Sequence, residues 1–196
     1  MLRNLKKLAF VPILLLAVTA CDTAEMGPTA PSTPDPLLGG LLGGNNVQGY
    51  TLVRDPLLPG ILNAVSTGSL IGFNGGSISL LGHTVTVPVG AVTKPTLFSL
   101  IVLPTGYVEV DLTATLTSIL GPFDVGAAGF QKLVPVSLSY ARGTNVSDPS
   151  QLKVLRIKSL LGYGNYEVMP TTVNTTTKTA NTQLDHFSRY TLAMPD

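Results

Sequence analysis

His186, Phe187 and Ser188 stand together as "HFS" close to the C-terminal end of the chain. In an extended strand, residues two apart project to the same side, so the imidazole of His186 can approach the hydroxyl of Ser188. A histidine that takes the proton of a serine makes a nucleophile for acyl chemistry, provided that the peptide to be attacked is strained. The plainer reading, and the one adopted, makes His186, Ser188, Tyr190 and Leu192 one face of a closing strand, with His and Ser hydrogen-bonded at the rim of the core. Glu109 and Asp111 are also two apart, close enough to share a cation or to work as an acid/base pair. Charges alternating with threonines are equally what the solvated face of a strand requires, and that reading is taken for this pair. His83 falls at an expected turn, as a solvent-facing imidazole or a hydrogen-bonded residue that starts a strand. The sequence has no G-x-S-x-G, H-E-x-x-H, Walker or dinucleotide-binding glycine pattern, so we expect no metal, no cofactor and no enzyme.

Composition narrows the field. The 196 residues include 12 Lys+Arg and 11 Asp+Glu, a formal charge of +1, which leaves no basic surplus for neutralising phosphates. No nucleic-acid partner is expected. Cys21 is the single cysteine, which excludes an internal disulfide and a thiolate zinc site. Gly at 20 and Pro at 15 are high for a helical chain and suit short strands joined by turns.

The first residues read as an export signal: Arg3, Lys6 and Lys7, an uncharged apolar run over 8–18, then Thr19 and Ala20 ahead of Cys21. The run is too short to cross a bilayer as a helix, which takes about 20 residues. "VTAC" at 18–21 resembles the lipobox of bacterial lipoproteins. The resemblance implies a signal peptide over 1–20, cleavage before Cys21 and acylation of that thiol. Two acyl chains suffice for stable membrane attachment. Without Arg3, Lys6 and Lys7 the mature chain keeps 9 of the 12 basic residues against 11 acidic ones, a formal charge of −2, so lipid rather than headgroup charge would hold it. The expected address is the bacterial cell envelope, facing periplasm or exterior. Residues 21–64 read as a lipid-anchored low-complexity linker, with Pro28, Pro31, Pro34 and Pro36 followed by "LLGGLLGG" at 37–44.

From Val65 the pattern changes to short alternating runs. Ile78 and Leu80, then Val85 and Val87 beyond Gly82, predict a hairpin. The nearly continuous apolar run at 97–103 predicts a strand that is central or buried on both faces. Val108, Val110, Leu112, Ala114 and Leu116 alternate with Glu109, Asp111, Thr113, Thr115 and Thr117, which predicts a strand with one wet side. Val134, Val136, Leu138 and Tyr140 alternate again, with Pro135 indicating an edge or a strand start. Further strands are expected at 152–157, 166–169, 179–184 and 187–193, and no stretch carries a helical period with caps. The sum is an all-β, monomeric antiparallel β-sandwich over 65–196, large enough to form a core without disulfides.

Four segments in chain order resemble the ZU-five domain: "GGSISLLGHTVTVPVGAV" at 75–92, "GPFDVGAAGFQKLVPVSLSY" at 121–140, "DPSQLKVLRI" at 148–157 and "LDHFSRYTLA" at 184–193. Val89 departs from the pattern, where a second proline is usual. The resemblance implies a β-sandwich. It also implies an alternative role for the "HFS" triplet, since certain ZU-five domains cleave themselves there, in this chain between Phe187 and Ser188. The function expected is that of a lipid-anchored structural or binding module of the envelope, with an envelope protein or polysaccharide as partner. The alternative is the same domain with single-turnover self-cleavage through His186 and Ser188.

Overall fold

The computed structural model describes residues 47, 49–57, 63–118, 121–158 and 166–196. The expected signal peptide, Cys21 and the repeat at 37–44 lie outside the described residues.

The alternation of apolar and polar residues produces two antiparallel sheets, and the apolar positions face each other between them. Within the described residues one sheet has eight strands: β1 (Tyr50–Leu52), β2 (Val65–Ile71), β5 (Thr96–Val102), β6 (Glu109–Ser118), β7 (Gly121–Asp124), β9 (Lys153–Ile157), β10 (Tyr166–Met169) and β13 (Arg189–Pro195). Their order is β10-β9-β13-β6-β5-β2, with β1 on β13 and β7 on β6. The other sheet has five: β3 (Gly76–Leu80), β4 (His83–Val87), β8 (Val134–Ser139), β11 (Thr172–Asn174) and β12 (Thr179–Leu184), in the order β11-β12-β8-β4-β3. A single helical turn, α1 (Val125–Ala128), and a 3-10 turn at Pro149–Gln151 interrupt the strands. The chain is an antiparallel β-sandwich.

Phe98, Leu100 and Val102 of β5 and Val110, Leu112 and Ala114 of β6 fill one side of the core. Val85, Val136, Leu138, Ala180 and Leu184 fill the other. Each fully buried Leu or Phe contributes about 2 kcal/mol, and the residues between them stay outside. Phe98, Phe130 and Phe187 close one end as an aromatic cluster, with Phe130 and Phe187 edge to face at 4.7 Å. The predicted hairpin is β3–β4. Its two turn residues, Leu81 and Gly82, have φ of 51° and 87°, the arrangement whose twist matches the flanking strands. Gly82 is required there on a second count, because a Cβ would lie 3.0 Å from the Cβ of Ser139.

The structure differs from expectation at four places. The folded unit begins ahead of Val65, since β1 pairs with β13 and Val53 and Asp55 are fully buried. Residues 96–102 alternate instead of being buried on both faces, with Leu97 and Ile101 turned outward, although β5 is indeed central between β2 and β6. β8 is no edge strand, and Pro135 marks its start, the other of the two expected positions. Pro135 is its second residue, opposite Gln183 of β12 and ahead of the β4 pairing, which reaches only Val136. The outer side of β6 is not uniformly wet, as described next.

Candidate functional site

The "HFS" triplet lies in the link between β12 and β13, not within the closing strand. His186 uses Nδ1 toward Asp185, at 2.6 Å, and Nε2 toward Arg156, which also pairs with Glu167. Ser188 Oγ donates instead to the Ile157 carbonyl, at 3.1 Å. The approach of imidazole to hydroxyl that the self-cleavage alternative requires is therefore replaced by two separate sets of partners. Phe187 between them is buried, and its N–H donates to the Gly126 carbonyl at 2.7 Å. The His186 carbonyl accepts from Tyr190 Oη at 2.9 Å and the Ser188 carbonyl from the Leu112 N–H at 3.1 Å. All three residues keep φ out of the left-handed region. The arrangement fixes a strand entrance; it does not aim the serine at the preceding carbonyl.

Glu109 corrects the reading of a wet face, being 1% exposed. On the outer side of this part of the sheet, Val47, Leu52, Tyr107, Leu155 and Ala193 form a second apolar cluster, with Tyr50 and Tyr166 packed on it. That layer shuts water away from Glu109, which lies opposite Thr191 in the ladder. Burial pushes its carboxyl up to about 7, against the opposing pull of Arg189 and a hydrogen bond from Thr105. Arg189 Nε is 3.7 Å from Glu109 Oε1, and neither atom has a hydrogen-bond partner. Asp111, half-buried, is also raised by burial and also faces Arg189, at 3.9 Å. Burial and the neighbouring Glu109 raise Tyr166 to about 12. With a guanidinium already between the two carboxylates, the pair is an internal charge cluster. Among the described residues, no three His, Cys, Asp or Glu come together as a metal site would require.

His83 starts β4, as one expectation held, and it is fully buried, which rules out the solvent-facing one. Nδ1 accepts from the Ser139 N–H at 3.1 Å, so this nitrogen carries no proton. Burial foremost, with the nearby Arg142 charge, lowers the imidazole to about 4. Asp55 and Arg142, which the sequence did not single out, form an ion pair beside it at 2.7 Å.

The five-stranded sheet presents a different surface. Its strands contain one titratable residue, the buried His83; their outward positions carry Ser, Thr, Asn, Gln and Pro. The register lines up Ser79 with Thr84, Thr84 with Ser137, Ser137 with Asn181, and Asn181 with Thr172. The register thus sets one row of polar residues across all five strands, parts of it joined by hydrogen bonds. Ser79 Oγ and Thr84 Oγ1 are 2.9 Å apart, Ser137 Oγ donates to Asn181 Oδ1 at 2.6 Å, and Asn181 Nδ2 donates to the Thr172 carbonyl at 3.3 Å. At the Asn181 end of this row lies a groove of about 510 Å³. Leu133, Pro135 and Pro170 give it apolar walls, and Ser137, Asn181 and Gln183 give it polar groups.

No family model matches the chain, and no curated protein matches it at a significant level.

The groove was absent from the sequence reading. Each strand shows its polar residues at alternate positions, as in "TANTQL" and "HTVTV", and this signal was available. What brings those residues into one row is pairing between strands as far apart as Thr84 and Ser137, about fifty positions, and periodicity within a strand says nothing of that.

Proposed function

We propose that the chain is a lipid-anchored binding module of the bacterial cell envelope, held to a membrane through acylated Cys21 and engaging its partner through the outward face of the five-stranded sheet. The observation that carries this reading is the groove itself. It combines the size of a ligand pocket, apolar walls and a few convergent polar groups, the usual composition of a binding site. Its lining holds no acid, base or thiol, so its chemistry is that of recognition. The lipobox-like start of the sequence supports the anchor, and the four segments that resemble the ZU-five domain support the class of domain.

Photo-crosslinking in intact cells tests the proposal. A diazirine amino acid in place of Gln183 is expected to give an adduct of raised mass in the membrane fraction. The same replacement at Thr115, on the outward side of the other sheet, is expected to give none. No adduct at Gln183 would overturn the reading.

A further inference from the structure

We propose that the groove and the polar row leading out of it bind a neutral polysaccharide chain. The inference rests on the binding-module reading and adds the chemical class of the ligand.

Three features of the face select that class. The first is charge: a carboxylate, phosphate or ammonium on a ligand would meet no opposite charge in the groove, while the Gln183 amide can donate and accept and, beyond their own hydrogen bonds, Ser137 Oγ can accept and Asn181 Nδ2 can donate its second hydrogen. Sugar hydroxyls have the same dual character and need no counter-ion. The second is the pairing of polar groups with flat apolar ones. Leu133, 51% exposed, and the rings of Pro135 and Pro170 offer surface to the C–H faces of a pyranose, whose edges then meet Ser137, Asn181 and Gln183. The third is extent. With strands about 4.8 Å apart, the row from Ser79 to Thr172 measures roughly 19 Å, which is the reach of several linked sugars and exceeds that of one. A peptide is disfavoured by position, because the row runs across a sheet face whose backbone groups are already paired within the sheet, whereas peptide strands add at an edge. Each hydroxyl contact exchanges a water contact for a ligand contact, so binding per sugar is weak and a polymer gains by engaging the row at several points.

The test is native affinity electrophoresis of the full chain in detergent, through gels containing dextran, glucomannan or xylan as neutral probes and alginate as the anionic one. Retardation is expected in at least one neutral gel and not in alginate, unchanged between about 0.05 and 0.5 M salt. Ser137→Ala with Asn181→Ala should weaken it about tenfold or more. Thr115→Ala, on the other sheet, should retain it, with thermal unfolding checking that each variant is folded. Retardation by none of the neutral probes, by alginate alone, or equally by the double Ala variant would overturn the proposal. A protein adduct from Gln183 together with no retardation would leave the binding-module reading standing and remove the polysaccharide; absence of both would remove both.

Discussion

Arg142 donates from Nε and from Nη2 to a single oxygen of Asp55, at 2.9 and 2.7 Å, across 87 positions of sequence. Its Nη1 reaches the Leu81 carbonyl at 2.8 Å, so one guanidinium joins the segment after β1, the β3–β4 turn and the loop after β8. The carboxylate is fully buried. Removing only the cation strands that charge, and Arg142→Met is expected to cost about 3 kcal/mol. Adding Asp55→Asn to it should recover part of the loss. Urea unfolding of the two single variants and the double one measures the coupling, and strictly additive effects would contradict it.

Two buried groups bend the pH dependence of stability in opposite directions. Glu109, raised from 4.5 to about 7, binds its proton more tightly in the folded chain; its contribution is complete below pH 4.5 and is lost as pH rises through 7. His83, lowered from 6.5 to about 4, contributes fully above pH 6.5 and loses that contribution as pH falls through 4. Relative to the parent, Glu109→Gln is therefore expected to be near neutral at acid pH and to gain up to about 3 kcal/mol above neutrality. His83→Gln should show the reverse drift, its relative stability improving toward acid. Denaturation midpoints across this range check both, and parallel profiles for parent and variant would refute the assignment.

Within the triplet, packing outweighs the hydroxyl. Phe187→Ala removes a ring seated against Phe98 and Phe130 and is expected to cost about 3–5 kcal/mol. Ser188→Ala gives up one hydrogen bond, to the Ile157 carbonyl, at about 1 kcal/mol. The peptide between Phe187 and Ser188 is expected to stay whole, which intact mass under denaturing conditions reads directly. A fragment of residues 188–196, absent in Ser188→Ala, would show self-cleavage instead.

Cys21→Ala is expected to abolish incorporation of a palmitate analogue and to shift the protein out of the membrane fraction, because Cys21 is the single thiol. Label retained in that variant would defeat the lipid-anchor proposal.

The parts legible in the sequence were those decided within a strand. Val134, Val136 and Leu138 face the core as their spacing predicts, and the hairpin turns where Gly82 stands. Glu109 obeyed the same alternation and still misled, since which side of β6 is wet depends on what covers it. The cover comes from Val47, Leu52 and Tyr166, far away in the chain and without any pattern shared with β6. His186 misled for a related reason: two-residue spacing brings side chains together only inside a strand, and β13 begins at Arg189. Asp55 and Arg142 were invisible as a pair because a separation of 87 positions conceals the pairing.

β1 lies beside the last residues of β13, with Tyr50 opposite Pro195 and Leu52 opposite Ala193. Thr51 Oγ1 donates to Asp196 Oδ1 at 2.6 Å, and the Asp196 N–H to the Gly49 carbonyl at 3.0 Å. Farther along, β13 is flanked by β6 and β9 and so sits in the middle of the sheet. Tension arriving along the chain ahead of Tyr50 thus passes first into a central strand and not into a peripheral hairpin. A pull there would load β1 against β13 and, through β6 and β9, the rest of the eight-stranded sheet, to which the groove does not belong.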